Sequence, residues 1–188
     1  MAKQTAALQS GQIAAAAVSR RFIAYLVDWY IGALVTALPL AVYSMQQFGT
    51  VKNQNLLQFS PRDGLTAGAL GLLCAVLYYV LVPLVVWRGQ TLGKRWLKLR
   101  IVGADGAPVT AGQLVRRQIL GVMVLEGSLV TASTLWHQMA TICTGLDFVK
   151  WLMYAGMAVS VVSAVLVLRR SRRALHDYVG GTMVIMDK

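Results

Sequence analysis

Charge is scarce in this 188-residue chain, and acidic charge scarcer still. Only 13% of residues are Asp, Glu, Lys or Arg, where a soluble domain carries about 25%. There are seven acidic residues against eighteen basic ones, two histidines, two cysteines and four prolines. The cysteines, Cys74 and Cys143, form no CxxC and no Cys/His cluster, which excludes a disulfide framework and a cysteine-based metal site. The two histidines are too few and too far apart for a zinc centre, which wants three or four ligands. No Gly-x-Ser-x-Gly, no pair of catalytic carboxylates and no Cys/His couple is present, so no enzymatic activity and no cofactor is expected.

What the chain has instead is apolar length. Its hydrophobic fraction is 57% and its mean hydropathy +0.60. Four apolar runs stand out, about Phe22–Tyr43, Leu65–Trp87, Gln118–Trp136 and Phe148–Leu168. Each approaches the roughly 20 residues a bilayer requires. The N-terminus lacks the long apolar core of a signal peptide, so the first run is expected to remain as an anchor. No shift in composition marks a second domain. Residues 1–19 read as a tail or short surface helix, and 20–187 as one membrane domain.

The net charge of +11 would suggest nucleic acid in a soluble protein. Here the basic residues flank the apolar runs, which speaks for anionic lipid head groups and against nucleic acid. With four spans, fifteen lysines and arginines lie on the side of both termini and the 88–117 loop. Only Lys52, Arg62 and Lys150 lie on the other. That bias places both termini in the cytoplasm.

The basic loop has a pattern of its own. Leu92, Trp96 and Leu99 share one helical face, as in an interfacial amphipathic helix. Leu99–Val102 reads as a strand, Asp105-Gly106 as a turn, and Ala107–Thr110 as a second short strand. Thr182–Met186 reads as another. Isolated hairpins are marginal, so these pieces are expected to form one small cytoplasmic sheet. The expected fold is an α-helical transmembrane bundle of four spans with an interfacial helix and that sheet. Small residues at every fourth position (Ala33, Ala37, Ala41; Ala67, Gly71, Ala75; Gly156, Ser160, Ala164) would let helices approach closely.

Gly93-Lys94 invites comparison with a phosphate-binding loop. Counting back, the required first glycine is Arg88, and the residue after Lys94 is Arg95 rather than Ser or Thr, which excludes that motif. Gly89, Gln90, Gly93, Lys94 and Arg95 are read as loop-structuring or head-group residues, and so is His176. A histidine responds near neutral pH, but His176 is as readily a packed one.

Two acids fall inside apolar runs, Asp28 and Glu126. Asp28 lies about 10 Å along the helix from Phe22 and shares a face with Arg21, two turns away. An unpaired carboxylate at that depth is costly. Either these acids line a polar pathway that exchanges a proton or cation, or ion pairs fix them, with Arg21, Lys94 or Arg173 as partners for Asp28.

Three motifs recur in order: Arg21-Phe-Ile-Ala-Tyr-Leu-Val-Asp28; Gly89-Gln-Thr-Leu-Gly-Lys-Arg95 with Leu99-Arg-Ile-Val-Gly-Ala-Asp-Gly106; and Leu175-His-Asp177 with Gly181-Thr-Met-Val-Ile185. Their order resembles the RDD family of bacterial membrane proteins, named for an arginine and two aspartates. The resemblance spans about residues 20–187 and implies Arg21, Asp28 and Asp177 as the naming triad. Glu126 lies outside that pattern. What the resemblance implies about activity is transport, with ion or proton exchange for some members. The expectation is therefore a small transporter or transporter subunit, working as a homo-oligomer because four spans are few to enclose a pathway. The alternative is a membrane scaffold or assembly factor that docks a partner on its basic cytoplasmic face.

Overall fold

The computed structural model describes residues 15–127 and 130–187. The expected tail therefore lies largely outside the described residues, as does Lys188. Helix α1 spans Val18–Phe48. Helix α2 runs Pro61–Val86, starting at a Ser60 cap with Pro61 in its first turn, where a missing N–H costs nothing. Helix α3 is the short Leu92–Trp96, followed by strand β1, Leu99–Gly103. Helix α4 starts as Ala111–Val115 and widens into a π-helical stretch, Arg116–Leu125. Then come α5, Val130–Thr144, α6, Val149–Leu168, α7, Leu175–Gly180, and β2, Thr182–Met186. Three of these helices, α1, α2 and α6, are long and apolar enough to cross a membrane.

Helices α1 and α2 pack along their length. Ala67, Gly71 and Ala75 are buried as their spacing suggests. A Cβ on Gly71 would come within 3.0 Å of the Thr36 carbonyl, so only glycine permits this approach. On α1 the buried stripe is one position from the expected alanines: Ala24, Asp28, Gly32, Thr36, Leu40 and Ser44. Tyr79 accounts for the difference, because its ring fills the space beside Gly32 that any side chain would need.

The apolar interior falls into three clusters that follow one another along the helices. One joins Ala24, Val80, Leu99, Ile101, Leu114 and Val184 at the basic end. A middle one holds Ala75, Tyr78, Tyr79, Val122 and Met123. The last holds Leu40, Leu56, Ala67 and Leu135.

The third apolar run departs from expectation. It is not one helix over Gln118–Trp136, and residues 128 and 129 lie outside the described part. The helix ends at Leu125, and Gly127 takes φ +60°. The 116–125 stretch packs on α7, whereas α5 packs on the first half of α2. Broken backbone in a membrane must find new partners. Ser133 Oγ donates to the Met123 carbonyl at 2.9 Å, and Ser160 Oγ to that of Glu126 at 2.7 Å.

The sheet is antiparallel and two-stranded, with Ile101 opposite Val184. The expected strand over Ala107–Thr110 is not one: only Pro108 makes an isolated bridge, to Val102. The chain bends there through a capping box at Thr110 that opens α4. Ala15 instead lies beside β2, bridging Ile185. The interfacial helix is shorter than expected. Trp96 is exposed, Leu99 is buried in β1 rather than on the helix face, and α3 packs on α1 through Gly93.

Candidate functional site: three buried carboxylates at the basic end

Asp28 is 2% exposed and fully surrounded by donors. The α3 turn brings Gly93 N–H to Oδ1 at 2.8 Å, Lys94 Nζ to Oδ2 at 2.8 Å, and the Thr91 hydroxyl also to Oδ2. From α2, Tyr78 donates its hydroxyl to Oδ1 at 3.0 Å. Tyr79, its ring edge-on to Tyr78, donates to the Asp28 backbone carbonyl at 2.8 Å. Gly93 is glycine for a reason. A Cβ there would sit 2.5 Å from the Ala24 carbonyl and 2.9 Å from Oδ1 of Asp28. Lys94 thus turns inward instead of out to head groups. Its ammonium is pushed down from the usual lysine value by burial, with Asp28 pulling the other way.

Asp177 is wholly buried at the start of α7. Arg21 from α1 pairs with Oδ2. Arg117 from the π-helical stretch reaches Oδ1 with Nη2 at 3.0 Å and Nε at 3.2 Å. The Ala174 N–H donates to Oδ2 at 3.0 Å, closing the first turn of α7. Burial alone would raise this carboxyl, but Arg117, His176 and Arg21 beside it hold it well below the usual carboxylate range. Arg21 and Asp28 share a helix face, yet each takes its partner from elsewhere.

Glu126 forms the third centre, 3% exposed, where α4 breaks. His176 meets it twice, through its backbone N–H at 2.9 Å and Nδ1 at 2.9 and 3.0 Å from the two carboxylate oxygens. Ser163 on α6 donates to Oε1 at 2.6 Å. Gly156 of α6 lies close against Gly127. Glu126 thus joins α4, α6 and α7.

The sequence-predicted residues therefore divide. Arg21 and Asp177 meet, Asp28 and Lys94 meet, and Glu126 and His176 meet. Gln90 structures the loop by donating to the Leu99 carbonyl at 2.8 Å and Asp187 at 3.0 Å. Gly89, at φ +87°, sits against the Ile101 carbonyl. Arg95 points away and stacks on Trp87. Sequence reasoning missed Arg117, Tyr78, Thr91 and Ser163 as partners. Among the described residues no group of three or more His, Cys, Asp or Glu side chains gathers as a metal site would require.

A cleft of about 850 Å³ opens between α1 and α6, and Asp28, Glu126, Arg21, Lys94, Arg117 and His176 all border it. Apolar helices of membrane-crossing length, with acids buried in ion pairs at their basic end, define a helical membrane protein. Its sequence matches the RDD family over residues 15–181, nearly the whole chain, and the protein belongs to that family. No curated protein matches it. No solved structure matches it either.

Proposed function

We propose that this RDD family protein is a small transporter, or a subunit of one, for an ion or small solute, with Asp28 and Glu126 on the two sides of its pathway. The observation that carries the reading is that both acids, from separate helices, border one cleft. Two carboxylates in a membrane interior are functional candidates by default. Here each has a partner that can release it, Lys94 for Asp28 and His176 for Glu126.

On this reading the chain crosses the membrane four times. The 116–125 stretch and α5 then make the third crossing, broken at Glu126. Helices broken where they line a cavity are a recurrent feature of transporter sites. Both termini face the cytoplasm of the bacterial cell, and copies assemble to complete the pathway. No enzymatic step is assigned.

The scaffold reading has its own support. Asp28 accepts from four donors and Asp177 is sealed from solvent. Such saturation suits a fixed strut as well as a pathway. Flux in reconstituted liposomes separates the two. Under the transport reading, Asp28→Asn and Glu126→Gln proteins insert in normal amounts and lose cation or proton flux. Absent wild-type flux across a panel of ions and small solutes, with Asp28→Asn failing to accumulate, would leave only the scaffold.

A further inference from the structure

The same cleft has a second property that does not depend on transport. Helix α1 packs on α2, α3 and α5, while α6 packs on α5, α7 and the 116–125 stretch, so α5 joins the two where they do not pack on each other. Between α1 and α6 the bundle is open sideways, toward lipid. Along α1 the lining runs from Val18 to Trp29, about 16 Å at 1.5 Å per residue. One leaflet of a hydrocarbon core about 30 Å thick is about 15 Å deep. The walls are the exposed apolar side chains of Phe22, Val161 and Val165, with Ala164 leaving room between them.

The basic end of the cleft carries more positive charge than its acids neutralise. Arg21 and Arg117 share the single carboxylate of Asp177. Two further guanidiniums lie in the same layer and bond carbonyls: Arg172 to Ala15, and Arg173 to Thr182 and Asp177. Arg21, Lys94 and Arg117 are matched by Asp28, Glu126 and Asp177, so the charges of Arg172 and Arg173, whose bonds go to carbonyls, are the surplus at this end. A second copy of a chain with net charge +11 would add to this surplus, whereas a phosphate would relieve it.

We propose that the cleft holds one anionic phospholipid from the leaflet on the basic side. Its phosphate sits on the arginine surplus, and one acyl chain lies between α1 and α6, completing the wall they leave open.

The test is photo-crosslinking of the full-length protein in phosphatidylcholine vesicles, with phosphatidylglycerol carrying a diazirine in its acyl chain. Labelled residues are mapped by mass spectrometry. Labelling is expected to concentrate at Phe22, Val161 and Val165 over Leu34 and Val85, which are exposed on other faces. Unlabelled phosphatidylglycerol should compete and phosphatidylcholine should not. Arg172→Gln should weaken labelling about fivefold, the worth of one basic residue near an anionic surface. Ala164→Trp, which fills the cleft and touches no charge, should abolish it there while Leu34 and Val85 stay labelled at their background level. Even labelling over all faces, equal labelling by a phosphatidylcholine probe, or cleft residues crosslinking to a second copy instead would overturn the assignment.

Discussion

Asp28 and Asp177 are both buried aspartates at the same end of one bundle, and they are held in different ways. Asp177 is held by two guanidiniums and by a backbone N–H three residues away in its own helix turn. Asp28 has one ammonium, two hydroxyls and one backbone N–H, all from other segments. Arginine stays charged and presents a rigid fork, whereas lysine is a compact charge on a flexible stem that shifts its pKa readily when buried. The first arrangement is a rivet joining α1, the 116–125 stretch and α7. The second is one cation away from a free carboxylate. The difference teaches that within this triad the functional candidate is Asp28, while Arg21 and Asp177 hold the frame in which it sits.

The sharpest way to break that comparison is Asp177→Asn. Two buried guanidiniums would lose their counter-charge, and removing one partner of a buried ion pair costs about 3–5 kcal/mol. Thermal unfolding in detergent should show the largest loss of any single variant considered. An Asp177→Asn protein as stable as wild type would deny the rivet. The pH dependence has a sign to match. The folded carboxyl lies below its unfolded value of about 3.9. Its stabilisation is therefore complete above that value and is lost as pH falls through it toward the folded pKa. Melting temperature against pH should drop on the acid side in wild type, and that contribution should be missing from Asp177→Asn.

Lys94→Met comes next. It strands Asp28 in a site 2% exposed, where a proton must neutralise it or the fold must yield. The expected loss is about 3 kcal/mol. Unlike Asp177→Asn it should be largely relieved by a second change, Asp28→Asn, because the hydroxyl donors can also serve an amide. A double-mutant cycle measures this coupling. Additive losses from the two changes would mean that Lys94 and Asp28 do not act as a pair. Gly93→Ala should follow, at about 1–3 kcal/mol, since its Cβ presses on the Ala24 carbonyl and the Asp28 carboxylate.

Periodicity and length made the three long helices legible, because lipid rewards an unbroken apolar run whatever its neighbours. Strands β1 and β2 were legible for the same kind of local reason. The ion pairs were not. Lys94 lies 66 residues from Asp28, and His176 lies 50 from Glu126. Nothing in local spacing chooses between Lys94, Arg21 and Arg173 as the partner of Asp28. Arg117 was hidden among many basic residues, all of which read as orientation signals. The break in the third run did leave a trace, Glu126-Gly127 inside apolar sequence. An acid and a glycine together in a buried helix are costly unless something holds them. What holds them, Ser160, Ser163, Gly156 and His176, comes from segments that sequence alone does not bring near.

The smallest expected effects sharpen the comparison most finely. Tyr78→Phe removes one neutral donor from Asp28, and Ser163→Ala one from Glu126. A hydrogen bond to a charged group contributes about 1.5–3 kcal/mol and a neutral one about 0.5–1.5 kcal/mol. With Thr91, Gly93 and Lys94 still in place, the Tyr78→Phe loss belongs in the lower range and well under that of Lys94→Met. If the two losses match, the carboxylate is held by hydroxyl dipoles as much as by the ammonium. Lys94 would then be free to leave without exposing an unsolvated charge. That outcome would strengthen the case that Asp28 exchanges its counter-ion during function, whereas a dominant Lys94 would make the pair a strut.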